Sequence, residues 1–209
     1  GSEMCIRDRA STIAKVDLLF DLVNEFPELQ GVLGGYFAES QGFEKEVCLA
    51  VSEHYLPSGL NSRTPKNNYS IALSLSDKLD ALVGFFGLDL VPTSSKDPYA
   101  LRRITIGLIK LIIENKKSFK LKELIDYSCQ LYNNQSINFD RKSVHTNLSI
   151  FIIDRLKNYM KEKGIRLDII ESSLIDLDLN NIFVIFTKAD RLNKMIKKQV
   201  GIDLIENYK

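Results

Sequence analysis

Asp97-Pro98-Tyr99-Ala100-Leu101-Arg102-Arg103, continued by the apolar run Ile104-Thr105-Ile106-Gly107-Leu108-Ile109-Lys110-Leu111-Ile112-Ile113, is the stretch on which the fold turns. The Asp97 side chain can cap a helix, and Pro98 carries the fixed φ suited to a first helical position, so the pair predicts a helix over residues 99–115. Beyond Arg103 that helix is apolar on nearly every side, which makes it the buried central element of a helical array. The apolar run is interrupted by Lys110 and is about half of the roughly 20 residues that a membrane-spanning helix needs, so no membrane partner is expected.

Outward from this stretch, segment after segment has helical apolar spacing. Residues 69–86 carry Leu73, Leu75, Leu79, Leu82, Val83 and Phe86, and residues 43–56 carry Val47, Ala50, Val51 and Leu56 before Pro57. Residues 29–38 add Leu33 and Phe37 among Gly31, Gly34 and Gly35, small residues that permit close packing or a bend. Residues 13–26 carry Ile13, Val16, Leu19, Phe20 and Val23 up to Pro27, and the Ser-, Asn-, Gly- and Pro-rich residues 58–68 read as a loop. On the C-terminal side, residues 121–132 and 140–163 are amphipathic, the second closed by Gly164. Residues 169–185 are assigned to helix because no partner strand is evident, although Asn180-Asn181 is a turn signal and IFVIF, residues 182–186, has the composition of a short strand. Residues 187–200 set Lys188, Arg191, Lys194, Lys197 and Lys198 on one half of a helical wheel, opposite Ala189, Leu192, Met195, Ile196 and Val200. A basic face of this kind can bind a phosphate backbone or stand simply solvated.

Charge and cysteine content narrow the function classes. The chain of 209 residues has a net charge of +1, which argues neither for nor against a polyanionic partner. Its distribution is uneven: residues 10–140 sum to −3 and residues 141–209 to +4. Cys5, Cys48 and Cys129 are too few and too scattered for a disulfide framework or a zinc site, which suits a reducing, cytoplasmic setting. With His54 and His145 as its only histidines and no phosphate-binding Gly-rich loop, the chain lacks the parts of most metal and nucleophilic catalysts, so no catalytic residues and no cofactor are assigned to it. Asp77 and Asp80 lie three apart on one helix, where they can hold a metal or receive Arg102 and Arg103; the balanced charges favour the ion-pair arrangement. The first residues stand apart. Met4–Arg9, MCIRDR, resembles the translation of a transposon-end adaptor, fits poorly as a helix start, and sets residues 1–9 aside as a non-native segment.

A helical array with an Asp in SDKLD and a His in EHYLP resembles, in degenerate form, the HD superfamily of metal-dependent phosphohydrolases. Such sites activate a water at the metal with a His-Asp doublet, and none occurs here. Lys15, Val16 and Asp17 resemble the place of the doublet, leaving Asp17, His54 and Asp77 as weak metal candidates beside the capping or surface role that His54 could also fill. More specifically, EFPELQG (25–31), EHYLP (53–57), SDKLD (76–80) and PTSSKDPYALRR (92–103), in that order, resemble the beta subunit of bacterial heterotetrameric glycyl-tRNA synthetases. Lys96, Asp97, Pro98, Ala100, Leu101, Arg102 and Arg103 match the family pattern, while Ser94, Tyr99 and Ser76 depart from it mildly, standing where Gly, Phe and Ala are usual.

The resemblance implies a fragment of an alpha2beta2 enzyme. Its alpha subunit would activate glycine with ATP and Mg, and its beta subunit would bind and position tRNA for glycine. It implies an all-α fold with an HD-like helical domain over residues 10–135 and a further helical segment over residues 136–209 leading toward an anticodon-binding domain. Lys96, Arg102 and Arg103 near one helix start, and Lys188, Arg191, Lys194 and Lys198 on another helix, become RNA-contact candidates of the phosphate-positioning kind. The alternatives are a surviving metal-dependent HD-type phosphohydrolase and a non-catalytic helical scaffold.

Overall fold

The structure, a computed structural model, describes residues 3–175 and 178–199 together with Gly201, Asp203 and Asn207. Among these residues every regular element is helical. In order they are α1 (Glu3–Thr12), α2 (Asp21–Glu25), α3 (Val32–Ser40), α4 (Lys45–Glu53), α5 (Asn68–Gly87), α6 (Leu101–Glu114), α7 (Leu121–Asn134), α8 (Arg141–Glu162), α9 (Leu167–Ser173) and α10 (Ile182–Met195). Short 3₁₀ turns occupy Val16–Leu19, Pro27–Leu29 and Leu179–Asn181. The all-α expectation therefore holds. Among the described residues, no helix is long and apolar enough to cross a membrane.

Two compact units share the chain, one formed by Gly1–Leu82 with Pro98–Leu111 and the other by Val83–Asp97 with Ile112–Lys209. The division runs inside α5 and α6, whereas the sequence reading set its boundary between residues 135 and 136. In the first unit, α3 and α4 form an antiparallel pair seated close together by glycines. A Cβ on Gly34 would lie 3.0 Å from Val51 Cγ1, and one on Gly35 would lie 2.8 Å from Ser52 Cβ. Residues 3–12, expected to start no helix, form α1. Ile6 and Ala10 of α1 join Val47, Ala50 and Val51 in one apolar cluster, and Arg9 pairs with Glu44 at 2.8 Å. Tertiary burial overrides the poor local propensity there.

Two other segments differ from expectation. Residues 13–26 form no single helix: a turn and the 3₁₀ turn Val16–Leu19 bring Asp17 into the interior, Phe20 is extended, and α2 is only five residues long. Leu19 of the expected apolar stripe faces outward as a result, beside the exposed Leu18. The Asp97-Pro98 pair does not start α6. Ala100 takes a left-handed φ of 54°, so residues 98–100 turn outside the helix, which begins at Leu101. The interior of α6 is as expected, with Leu101, Leu108, Ile109, Leu111 and Ile112 at most 2% exposed.

In the second unit Asp140 caps α8, its carboxylate accepting the backbone N–H groups of Lys142 and Ser143 at 3.1 and 3.4 Å. Val144, Leu148, Ile152, Leu156 and Tyr159 of α8 point inward, and Gly164 ends the run with a φ of 74°. Aromatic pairs Phe86–Phe151, Tyr132–Phe139 and Tyr159–Phe186 have ring centroids 5.2, 4.9 and 5.8 Å apart. Residues 169–185 are helical only in part: α9 ends at Ser173, the Asn180-Asn181 turn signal lies in a 3₁₀ turn, and IFVIF opens α10. Helix α10 then runs on through Thr187 to Met195, so Lys197 and Lys198 follow its end, while Val200 falls outside the described residues.

Candidate functional site

The three weak metal candidates meet in the first unit, but as a closed cluster. Asp17 is fully buried; its Oδ2 accepts the Gly31 N–H at 2.8 Å and its Oδ1 accepts the Tyr55 hydroxyl at 3.4 Å. The Asp77 carboxylate pairs with Lys15, whose ammonium also lies 4.0 Å from the Tyr55 ring centroid. Asp77 thus takes Lys15 as its ion-pair partner, where the sequence reading set Arg102 and Arg103. Asp80 is exposed, Arg102 is half-buried, and the exposed Arg103 lays its stem beside Gly59. His54 is fully buried, not a surface group, and its Nδ1 donates to the Val51 carbonyl at 2.6 Å, because that carbonyl can only accept. Burial holds the imidazole below its ordinary pKa, Lys15 adds to that, and the Val51 bond with Asp77 and Asp17 pulls the other way. Its Nε2 has no hydrogen-bond partner. Burial and the same two carboxylates also push the Tyr55 phenol upward.

Lys78 completes the cluster from below. Its buried ammonium donates to the carbonyls of Tyr55 and Leu56, each at 3.1 Å, and to Ser74 Oγ at 3.0 Å. The residues after α4 thereby find a donor for carbonyls that no further helical turn satisfies. Burial pushes Lys78 down to about 8, with Lys15 adding repulsion and Asp77 opposing it. Both Asp17 oxygens and Asp77 Oδ1 are thus engaged by a backbone N–H, a phenol and an ammonium. Among the described residues no group of three or more His, Cys, Asp or Glu can hold a metal ion. The arrangement ties the 3₁₀ turn, α3, α4 and α5 together.

Basic candidates lie at the surface. In the second unit Lys188, Arg191, Lys194, Lys197 and Lys198 are exposed, with Lys194 bonded to Asp190 one turn back at 2.6 Å. Phe183, Val184, Thr187, Lys188, Arg191 and Leu192 line a shallow recess of about 380 Å³, an apolar floor with a cationic edge. Lys96, also exposed, sits in a tight turn whose Thr93 hydroxyl accepts its N–H at 3.2 Å. Arg102 and Arg103 belong to the first unit, so the first cationic group is divided between the units.

Several residues that organise these sites escaped the sequence reading. Lys15, Tyr55 and Lys78 shape the buried cluster, and Lys110 holds the 58–68 loop through its bond to the Leu60 carbonyl at 2.7 Å. Asn193 is buried on α10, where it accepts the Arg166 N–H at 3.2 Å and donates to the Gly164 carbonyl at 3.1 Å. A signal existed for two of them: Lys78 lies between Leu75 and Leu82, and Asn193 follows Ala189, in the buried stripes of their helices.

Among the described residues the chain is thus an all-α array with a buried polar cluster tied to its own backbone and lysines and with cations on outward helix faces. The comparison with known proteins identifies which kind. The family model for the glycyl-tRNA synthetase beta subunit matches residues 3–175, and the chain belongs to that family. Among curated relatives, the glycine–tRNA ligase beta subunit of Clostridioides difficile (strain 630) is 36% identical over 200 residues, 96% of this chain and 29% of that protein. Its counterpart in Ruegeria sp. (strain TM1040) is 34% identical over 209 residues, all of this chain and 29% of the relative. That of Rickettsia bellii (strain OSU 85-389) is 38% identical over 201 residues, 96% and 28%. The chain thus spans less than a third of the length of these relatives.

Proposed function

We propose that this chain is part of a glycine–tRNA ligase beta subunit and contributes a phosphate-contacting surface that helps position tRNA for glycine. The aminoacylation chemistry, with ATP and Mg, belongs to the alpha subunit of a cytoplasmic alpha2beta2 assembly. The observation that carries this reading is the exposed cationic edge of α10, where Lys188 and Arg191 flank an apolar floor containing Phe183. Cations over an apolar and aromatic base suit an RNA backbone and its bases, and their affinity comes from counterion release. The phosphohydrolase reading draws no comparable support, since the carboxylates it would need are already engaged.

The test is tRNA binding by the whole alpha–beta enzyme across a range of salt concentrations. Neutralising Lys188, Arg191, Lys194 and Lys198 to glutamine should flatten the slope of log affinity against log salt by about 0.9 for each phosphate no longer neutralised, roughly 3 to 4 in all. An unchanged slope would remove α10 from the RNA interface.

A further inference from the structure

The first unit carries an apolar surface that the RNA-binding reading does not use. Leu19 is 82% exposed, Tyr36 65% and Leu18 53%, with Leu22, Phe26 and Leu49 exposed around them. The 3₁₀ turn bearing Leu18 and Leu19 packs against α3, so these side chains and Tyr36 belong to neighbouring elements. Between α3 and α4 runs a groove of about 540 Å³. One wall is Val32, Tyr36 and Glu39 of α3, and the other is Lys45, Leu49 and Ser52 of α4. These positions repeat at the three- and four-residue spacing of a helix surface, the pattern into which another helix lays its own ridge. Gly35 keeps the floor low. From Val32 to Glu39 the groove runs about 10 Å, two turns of a bound helix.

Charge decides the kind of occupant. Across residues 16–52 there are six exposed carboxylates, Asp21, Glu25, Glu28, Glu39, Glu44 (paired with Arg9) and Glu46, against one exposed ammonium, Lys45. A polyanion is repelled there, while an amphipathic helix with lysine or arginine beside its apolar ridge is attracted. Exposed aromatic and leucine side chains inside a charged margin are the anatomy of a protein–protein contact. We propose that the α3–α4 groove and the adjoining Leu18–Leu19 turn dock a basic amphipathic helix of the partner subunit. The proposal rests on the beta-subunit reading for the partner's identity, and it assigns to the first unit subunit contact in place of RNA contact.

Cys48 supplies a native probe, because it lines this groove half-buried with its thiol donating to the Phe43 carbonyl at 3.4 Å. The experiment uses the full-length beta subunit with and without its alpha subunit. Alkylation of Cys48 by iodoacetamide is followed by mass spectrometry, with the same subunit fully alkylated in urea as the internal standard. Cys48 should react in free beta and be shielded on assembly, and Leu19→Asp with Tyr36→Asp should weaken the alpha–beta affinity by roughly tenfold or more, about 1.4 kcal/mol. Both positions are exposed, so tRNA affinity of the variant subunit should stay at the wild-type level. Cys48 already shielded in free beta would show the rest of its own polypeptide in the groove and overturn the proposal. Equal reactivity in both states, with assembly insensitive to the substitutions, would also overturn it and leave the family reading intact. Wild-type beta that fails to assemble with alpha at all would overturn the proposed partner, and with it the proposed function.

Discussion

Gly31→Ala, compared with Gly42→Ala, measures whether α3 is seated on α4 by direct backbone approach. Both glycines have left-handed φ angles, 77° at Gly31 and 76° at Gly42. They differ in space: a Cβ at Gly31 would lie 2.6 Å from the Ser52 carbonyl oxygen and 3.2 Å from the Tyr55 ring, whereas one at Gly42 meets nothing within 4 Å. The conformational cost of alanine in this region, about 1–2 kcal/mol, is common to both sites, as is the smaller gain from restricting the unfolded chain. At Gly31 the Ser52 backbone must also shift, which adds about 1–3 kcal/mol. The same shift strains the 2.8 Å bond from the Gly31 N–H to Asp17.

The expected difference between the variants is therefore about 2 kcal/mol. For a urea dependence of about 2 kcal/mol per molar, that separates their midpoints by about 1 M. Hydrogen exchange of α3 and α4 peptides during urea unfolding reads the first unit alone, so the second unit does not dilute the signal. Equal midpoints for Gly31→Ala and Gly42→Ala would refute the close-approach argument.

Further expectations follow from the buried polar groups. Burial sets Lys78 near 8, below the 10.5 of an ordinary lysine. Between those values the unfolded chain holds the additional proton, so stability should rise with pH across that window by on the order of 3 kcal/mol, and Lys78→Met should flatten the rise in urea titrations. Asp17→Ala strands the Gly31 N–H and the Tyr55 hydroxyl and should cost about 2–4 kcal/mol in chemical denaturation, Asp17→Asn distinctly less. Excess Mn²⁺ should leave the thermal midpoint of the first unit unchanged; a rise of several degrees would reveal cation binding that the engaged carboxylates exclude. Asn193→Leu removes the partners of the Arg166 N–H and the Gly164 carbonyl and should lower stability of the second unit by about 1–3 kcal/mol, read by exchange at α9 and α10.

The elements legible in the sequence were those whose information is local. The long stripes of α5, α7 and α8 fix helix type and inward face from spacing alone, and the Gly164 stop of α8 stands where its residue type places it. The misses share a non-local cause. Residues 13–26 have a helical pattern, but the Asp17 carboxylate is committed to a backbone N–H fourteen residues later, which pulls that turn inward and leaves Leu19 outside. Residues 3–12 have no pattern of their own and are held by Val47, Ala50 and Val51 of α4. The start of α6 moved because Ala100 adopted a φ that favours glycine, which residue type does not announce.

The buried site was half legible for a similar reason. Residue type singles out Asp17, His54 and Asp77 as metal candidates, and the fold does gather them, but Asp17 is met by the Gly31 N–H and the Tyr55 hydroxyl and Asp77 by Lys15. Lys78 and Asn193 show what could have been read. Each is a polar residue in the apolar stripe of a helix, and each ends at carbonyls just past the C-terminus of another, Tyr55 and Leu56 beyond α4 and Gly164 beyond α8. A helix ending against the core leaves carbonyls that water cannot reach, so a donor must come from the neighbouring stripe. A lysine or asparagine at a stripe position in a helical array is thus a prediction of a buried helix end opposite it. Read that way, Lys78 places α5 across the end of α4 from sequence, and the Asp17–Asp77 cluster becomes a packing joint before any question of metal arises.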